Sequence, residues 1–115
     1  MSINYSNISE KIMKSLQGYG FQVKMFDSSN GKSVANPQDA KYFYVEVPNM
    51  MVHLDTQTDE LKLHLGERTD IDDNNIDKLI KLLRNMARVN TLDFDIRTFG
   101  KHIEPKNYAH EIEKN

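Results

Sequence analysis

YFYVEVPNMMVHLDTQTDELKLHLG, running from Tyr42 to Gly66, is the stretch that decides the fold. It divides into three short runs, Tyr42–Val47, Met50–Asp55 and Glu60–Leu65. Pro48 and Asn49 separate the first two, and Thr56 to Asp59 separate the second from the third. Both connectors are turn chemistry: Pro presets φ, Asn tolerates the left-handed region, and Asp and Thr bond their own backbone. A two-residue turn at Pro48 would pair Val47 with Met50, Val45 with Val52 and Phe43 with Leu54. Across the second turn Leu54 faces Leu61, Val52 faces Leu63 and Met50 faces Leu65. Successive strand residues point to opposite faces, and directly paired residues share a face. One face therefore collects Phe43, Val45, Val47, Met50, Val52, Leu54, Leu61, Leu63 and Leu65, every one apolar. A one-residue slip would turn the whole set to water, so the register is strongly specified.

The opposite face collects Tyr42, Tyr44, Glu46, Met51, His53, Asp55, Glu60, Lys62 and His64. That mixture suits a solvated sheet face, although Tyr42, Tyr44 and Met51 are more apolar than water alone requires. Pro48 does not fit the type I′ or II′ turns of tight hairpins. A wider turn is expected there; the rival is one long edge strand bulged at Pro48.

Outward from this sheet, the chain of 115 residues makes one domain, 1–115. Charged residues are 28% and the formal net charge is −2, so no global pull toward nucleic acid or membrane follows. Without cysteine there is no disulfide, thiolate nucleophile or zinc-thiolate site, a composition compatible with a reducing cytosol. The first residues lack the basic-then-apolar layout of a signal peptide, and no apolar run reaches membrane-spanning length.

Ser6 to Gln17 reads as a helix, with Ile8, Ile12, Met13 and Leu16 at helical spacing. Ser6 is its expected cap, and Gly18 and Gly20 end it. Phe21 to Phe26 alternates as a strand with Phe21, Val23 and Met25 inward. Residues 27–40 are polar, with Asn30-Gly31 and Asn36-Pro37 as turn signals, and read as a mobile loop. Gly31-Lys32-Ser33 matches only the end of a phosphate-binding loop, because Phe26 stands where its first Gly belongs. Asp70, Asp72 and Asn74 match the opening of a calcium loop. Asn75 and Lys81 then occupy the positions that need Gly and a bidentate Glu. The better reading is that Asp72 or Asp73 caps a helix over 74–89. Its stripe is Ile76, Leu79, Ile80, Leu83, Met86 and Ala87, with Lys78, Lys81, Arg84 and Arg88 opposite. Leu92 to Phe99 reads as a strand with Leu92, Phe94 and Ile96 inward, stopped by Gly100. Pro105 suits the start of a short helix through Glu113. The expected fold is a two-layer α+β domain. It has an antiparallel meander of about five strands, two main helices on one face and a short C-terminal helix.

Candidate chemistry is sparse. His53 and His64 share the outer face, and Glu46 or Asp55 would complete a two-His, one-carboxylate metal set. Two exposed histidines on a polar face are more ordinarily surface residues, so no metal or other cofactor is expected. No nucleophile motif occurs, no carboxylate pair is placed in an apolar pocket, and no catalytic residue is assigned. The outer sheet face offers an aromatic, amphipathic set for a protein partner or a second copy: Tyr42, Tyr44, Met51, His53, Lys62 and His64. The competing reading is that the first or last helix covers it. Nucleic acid is the alternative partner, through a basic stripe of Lys78, Lys81, Arg84 and Arg88 joined by Arg97 and Lys101. The stripe has no interleaved aromatics for single strands to stack on.

Several phrases resemble a module of large uncharacterised proteins of marine tailed phages. They are Gly20-Phe21, the run from Ala40 to Val45, Pro48 to Val52, Leu61 to Gly66, Arg97 to Lys101 and Ile103 to Lys106. The resemblance spans roughly residues 18–110. It implies a phage origin and a role in the virion or in host takeover, in the virion or the host cytoplasm. The family carries no known activity, so it transfers no catalytic residue.

Overall fold

The computed structural model describes residues 3–28, 31–66 and 74–98, together with the backbone of 101–103. In order, the chain forms α1 (Tyr5–Gly18), β1 (Val23–Phe26), a 3-10 turn (Pro37–Asp39), β2 (Tyr42–Val45), β3 (Met50–Asp55) and β4 (Glu60–Leu65). There follow α2 (Asn74–Val89), β5 (Asp93–Thr98) and β6 (Lys101–Ile103). The six strands make one sheet in sequence order, so the domain is α+β as expected. All neighbours are antiparallel except β4 and β5, which run parallel. The reason is the connection. Two parallel strands need a crossover of a dozen residues or more, and α2 lies within the one that joins β4 to β5. β6 was not foreseen, because Gly100 read as a stop. The short helix expected from Pro105 lies outside the described residues, as do the acidic residues at 67–73.

α1 starts one residue before the expected helix, and Asn4 rather than Ser6 caps it. The Asn7 amide donates to Asn4 Oδ1 at 3.1 Å. Gly20 takes φ +85°, a left-handed conformation that most side chains resist, and turns the chain into β1. In the expected mobile loop, described at 27–28 and 31–40, Ser33 bridges to Phe26 and the Val34 amide donates to the Met25 carbonyl at 3.0 Å. The Asn36 side chain caps the 3-10 turn.

The hairpin at Pro48 is the main correction to the register. The turn takes four residues, Glu46 to Asn49, so β2 ends at Val45. Val45 pairs with Met50 and Phe43 with Val52, two residues away from the pairing a tight turn would give. A shift of two preserves which face each residue occupies, so the apolar set survives. Val47 does not: it sits in the turn, 82% exposed. The second hairpin pairs as expected, Leu54 with Leu61, Val52 with Leu63 and Met50 with Leu65.

Phe43, Val45, Met50, Val52, Leu54, Leu61, Leu63 and Leu65 are fully buried on one side of the sheet, joined by Ile96 from β5. Ile8, Ile12 and Leu16 of α1 and Ile76, Leu79, Ile80, Leu83 and Ala87 of α2 close over them in one core. Each of these side chains except Ala87 contributes about 1.5–3 kcal/mol by leaving water. α1 lies against β1 and α2 against β4 and β5, and the two helices touch. The Ser9 hydroxyl, buried beneath α1, donates to the Ala40 carbonyl at 2.9 Å. Tyr5 Oη donates to the Asp59 carboxylate, tying the start of α1 to the β3–β4 turn. That bond holds the phenol protonated, with its pKa pushed up to about 12.

Candidate functional site: the outer face of the sheet

Because both described helices pack on the inner face, no described helix covers the outer one. Strand pairing arranges that face in rows. Tyr42 lies opposite His53, His53 opposite Lys62, and Lys62 opposite Asp95. In the next row Tyr44 lies opposite Met51, Met51 opposite His64, and His64 opposite Arg97. The structure thus brings together all six expected residues, Tyr42, Tyr44, Met51, His53, Lys62 and His64. Each is half-buried. The neighbours differ from expectation, since a tight turn would have set Tyr44 against His53.

Two ring contacts organise the surface. The Tyr42 and His53 rings stack at 4.1 Å between centroids, 12° from parallel. The His53 and His64 rings follow at 6.5 Å. Burial pushes the pKa of both imidazoles down. For His53 the charges of Lys62 and His64 push the same way, against Asp55 and Glu60. For His64, Arg97 and Lys62 lower it further, against Asp95.

The charges on this face are already committed to one another. Lys62 Nζ lies 3.3 Å from Asp55 Oδ2 and 3.9 Å from Glu60 Oε1, with its side chain only 18% exposed. Burial opposes ionisation of Asp55, but hydrogen bonds from the Gln57 amide, Thr58 and Lys62 outweigh it and hold the carboxyl below the usual range. Arg97 Nε donates to Asp95 Oδ2 at 2.9 Å. The uncommitted surface is therefore aromatic, imidazole and thioether.

Shallow depressions flank the two histidines. One is bordered by Asp27, Tyr42, His53 and Gln57, the other by Tyr44, Asn49, Met51, His64 and Gly66. Gly66 has a physical role in the second. Its amide donates to the Asn49 carbonyl at 2.7 Å, and a Cβ there would lie 2.9 Å from that oxygen and 2.2 Å from Asn49 Nδ2. Only glycine lets the β2–β3 turn close onto the end of β4. Asn49 in turn accepts a hydrogen bond from Tyr44 Oη at 3.4 Å.

Asp95 and Arg97 are the outer-face residues the sequence reading missed. The signal was present, because Phe94 and Ile96 inward leave Asp95 and Arg97 outward. The basic stripe consequently divides. Lys78, Lys81, Arg84 and Arg88 are exposed on α2, whereas Arg97 lies on the sheet face away from the helices. Lys101 pairs through its backbone with Thr98, and its side chain lies outside the described residues. No family model, curated protein or solved structure matches the chain.

Glu46, one of the carboxylates considered with the histidines, is exposed in the turn and lies 3.9 Å from Lys24. Among the described residues no group of three or more His, Asp or Glu is placed to hold a metal ion. No helix among them is long and apolar enough to cross a membrane.

Proposed function

We propose that the protein is a non-catalytic binding module that engages a protein partner, or a second copy of itself, through the open face of its sheet. The observation that carries this reading is the contiguous half-exposed set Tyr42, Tyr44, Met51, His53 and His64, on a face that no described helix covers. Aromatic and thioether side chains bury large contact area at low entropic cost, and the charges around them are already paired, so docking need not strand them. The phage-type resemblance belongs to the same reading: an accessory protein of the virion or of host takeover, working in the host cytoplasm or in the particle.

Tyr44→Ala combined with Met51→Ala tests it. Each truncation at the centre of an interface costs more than about 1 kcal/mol, so the pair weakens self-association or partner capture about tenfold or more while unfolding stays cooperative. Light scattering reads the first effect and affinity capture from the native host context reads the second. A strictly monomeric protein whose captured partners are unchanged by the double substitution overturns the reading.

A further inference from the structure

The helical layer offers a second surface, independent of the sheet face. Lys11 and Lys14 lie on the side of α1 opposite Ile8, Ile12 and Leu16, and all three apolar residues are buried. Lys78, Lys81 and Arg88 lie on the side of α2 opposite Ile76, Leu79 and Leu83. Since both helices cover the same face of the sheet and touch, these cations project from the molecule on one side. The two helices together hold six Lys and Arg against two acids, Glu10 and Asp77, a formal +4 within a chain whose net charge is −2. Both acids are half-buried: Glu10 accepts a hydrogen bond from the Gln38 side chain, and Asp77 lies one helical turn before Lys81, among the more numerous cations of α2. Of the acids in the β3–β4 region, Asp55 and Glu60 are engaged with Lys62 on the other face, and Asp59 accepts a hydrogen bond from Tyr5 Oη.

We infer that this two-helix surface docks the phosphate backbone of duplex nucleic acid without reading its sequence. Charge complementarity selects the ligand class, and geometry narrows it. Lys78 to Arg88 extends about 15 Å at 1.5 Å per residue, and packed helices lie about 8–10 Å apart. Cations spread over that span and carried on two touching helices can meet several phosphates of one duplex at once. The cations are carried with no aromatic among them, which disfavours stacking of single-stranded bases. Sequence periodicity puts Lys11 and Lys14 on the outer side of their own helix. They join the α2 cations because the fold lays α1 beside α2.

Fluorescence anisotropy with a duplex of about 20 base pairs tests the inference, at about 50 and 200 mM salt. Four neutralised phosphates give a log–log salt slope of about −3.6, hence roughly a hundredfold weaker binding at the higher salt. Lys11→Gln with Lys14→Gln, and separately Lys78→Gln with Lys81→Gln, should each flatten the slope by about 2. Exposed Lys24 and Lys32, off the helical layer, serve as the control pair, and their conversion to Gln should change nothing. Tyr44→Ala with Met51→Ala should also leave duplex affinity unchanged, which separates this surface from the sheet face. Leu82 and Val89 are exposed beside the cations, so phosphatidylserine vesicles are the competing probe. Absence of duplex binding at low salt overturns the inference. So does an α1 pair without effect, equal loss in the control pair, or binding to vesicles but not to duplex.

Discussion

Val52 and His53 are neighbours in β3, yet they meet opposite surroundings. Val52 is fully buried among residues from two other strands and two helices, while His53 is half-exposed and stacked on Tyr42. The same contrast repeats along β2, β3 and β4, where buried and half-buried positions alternate without exception. The inner face is held by volume and exclusion of water, so a charge there has nowhere to go. Over β2 to β4 the outer face is held by pairwise contacts between half-buried groups that water also satisfies, and such a surface can exchange water for a partner without disturbing the core.

The largest effect expected from this contrast is on folding. Val52→Asp places an unpaired carboxylate against Phe43 and Leu63 and should cost more than about 4 kcal/mol, enough to unfold a domain of this size. His53→Asp, one position along, loses the Tyr42 stack and should cost about 1 kcal/mol. Urea denaturation of the two variants compares them directly, and equal losses would break the distinction between the faces.

A smaller effect concerns pH. Burial holds His53 and His64 below the usual histidine value of about 6.5. As pH falls through that value, the unfolded chain takes up protons that the folded chain resists. Stability is therefore full above about pH 6.5 and is lost between there and the lower folded-state values. Asp55 is depressed as well, so its contribution is lost only below about pH 4, outside this window. The melting temperature should fall between about pH 7.5 and 5, and His53→Gln with His64→Gln should flatten that fall. An unchanged slope in the double variant would show that the outer face does not hold its imidazoles neutral.

The smallest effect sharpens the boundary of the inner face. Val47 belongs to the apolar set by alternation but sits in the turn, 82% exposed. Val47→Asp should change stability by less than about 0.5 kcal/mol, whereas Val45→Asp should unfold the domain as Val52→Asp does. A Val47 variant as damaging as the Val45 one would restore the tight two-residue turn.

Much of the candidate site was legible before the fold was known. Tyr42, Tyr44, Met51, His53, Lys62 and His64 follow from counting in twos along three strands, and all six share the outer face. Their pairing was less legible. It depends on the turn at Pro48, where one local feature, the misfit of proline with tight hairpin geometry, pointed to the wider loop that forms. Arg97 was grouped with the α2 cations because both are basic, although its own strand's alternation sent it to the opposite surface.

The sequence by itself determined the two faces of β2 to β4, the buried stripe of α2 and the α+β class. Each is a repeat of two or 3.6 residues, a local property of the backbone that needs no knowledge of what lies alongside. Only the tertiary structure decided that β5 runs parallel beside β4, setting Asp95 and Arg97 against Lys62 and His64. Only it laid α1 beside α2, so that Lys11 and Lys14 share a surface with Lys78 and Lys81. Adjacency between distant segments depends on crossover length, turn width and the one packing that closes the core, and none of these is periodic in the chain.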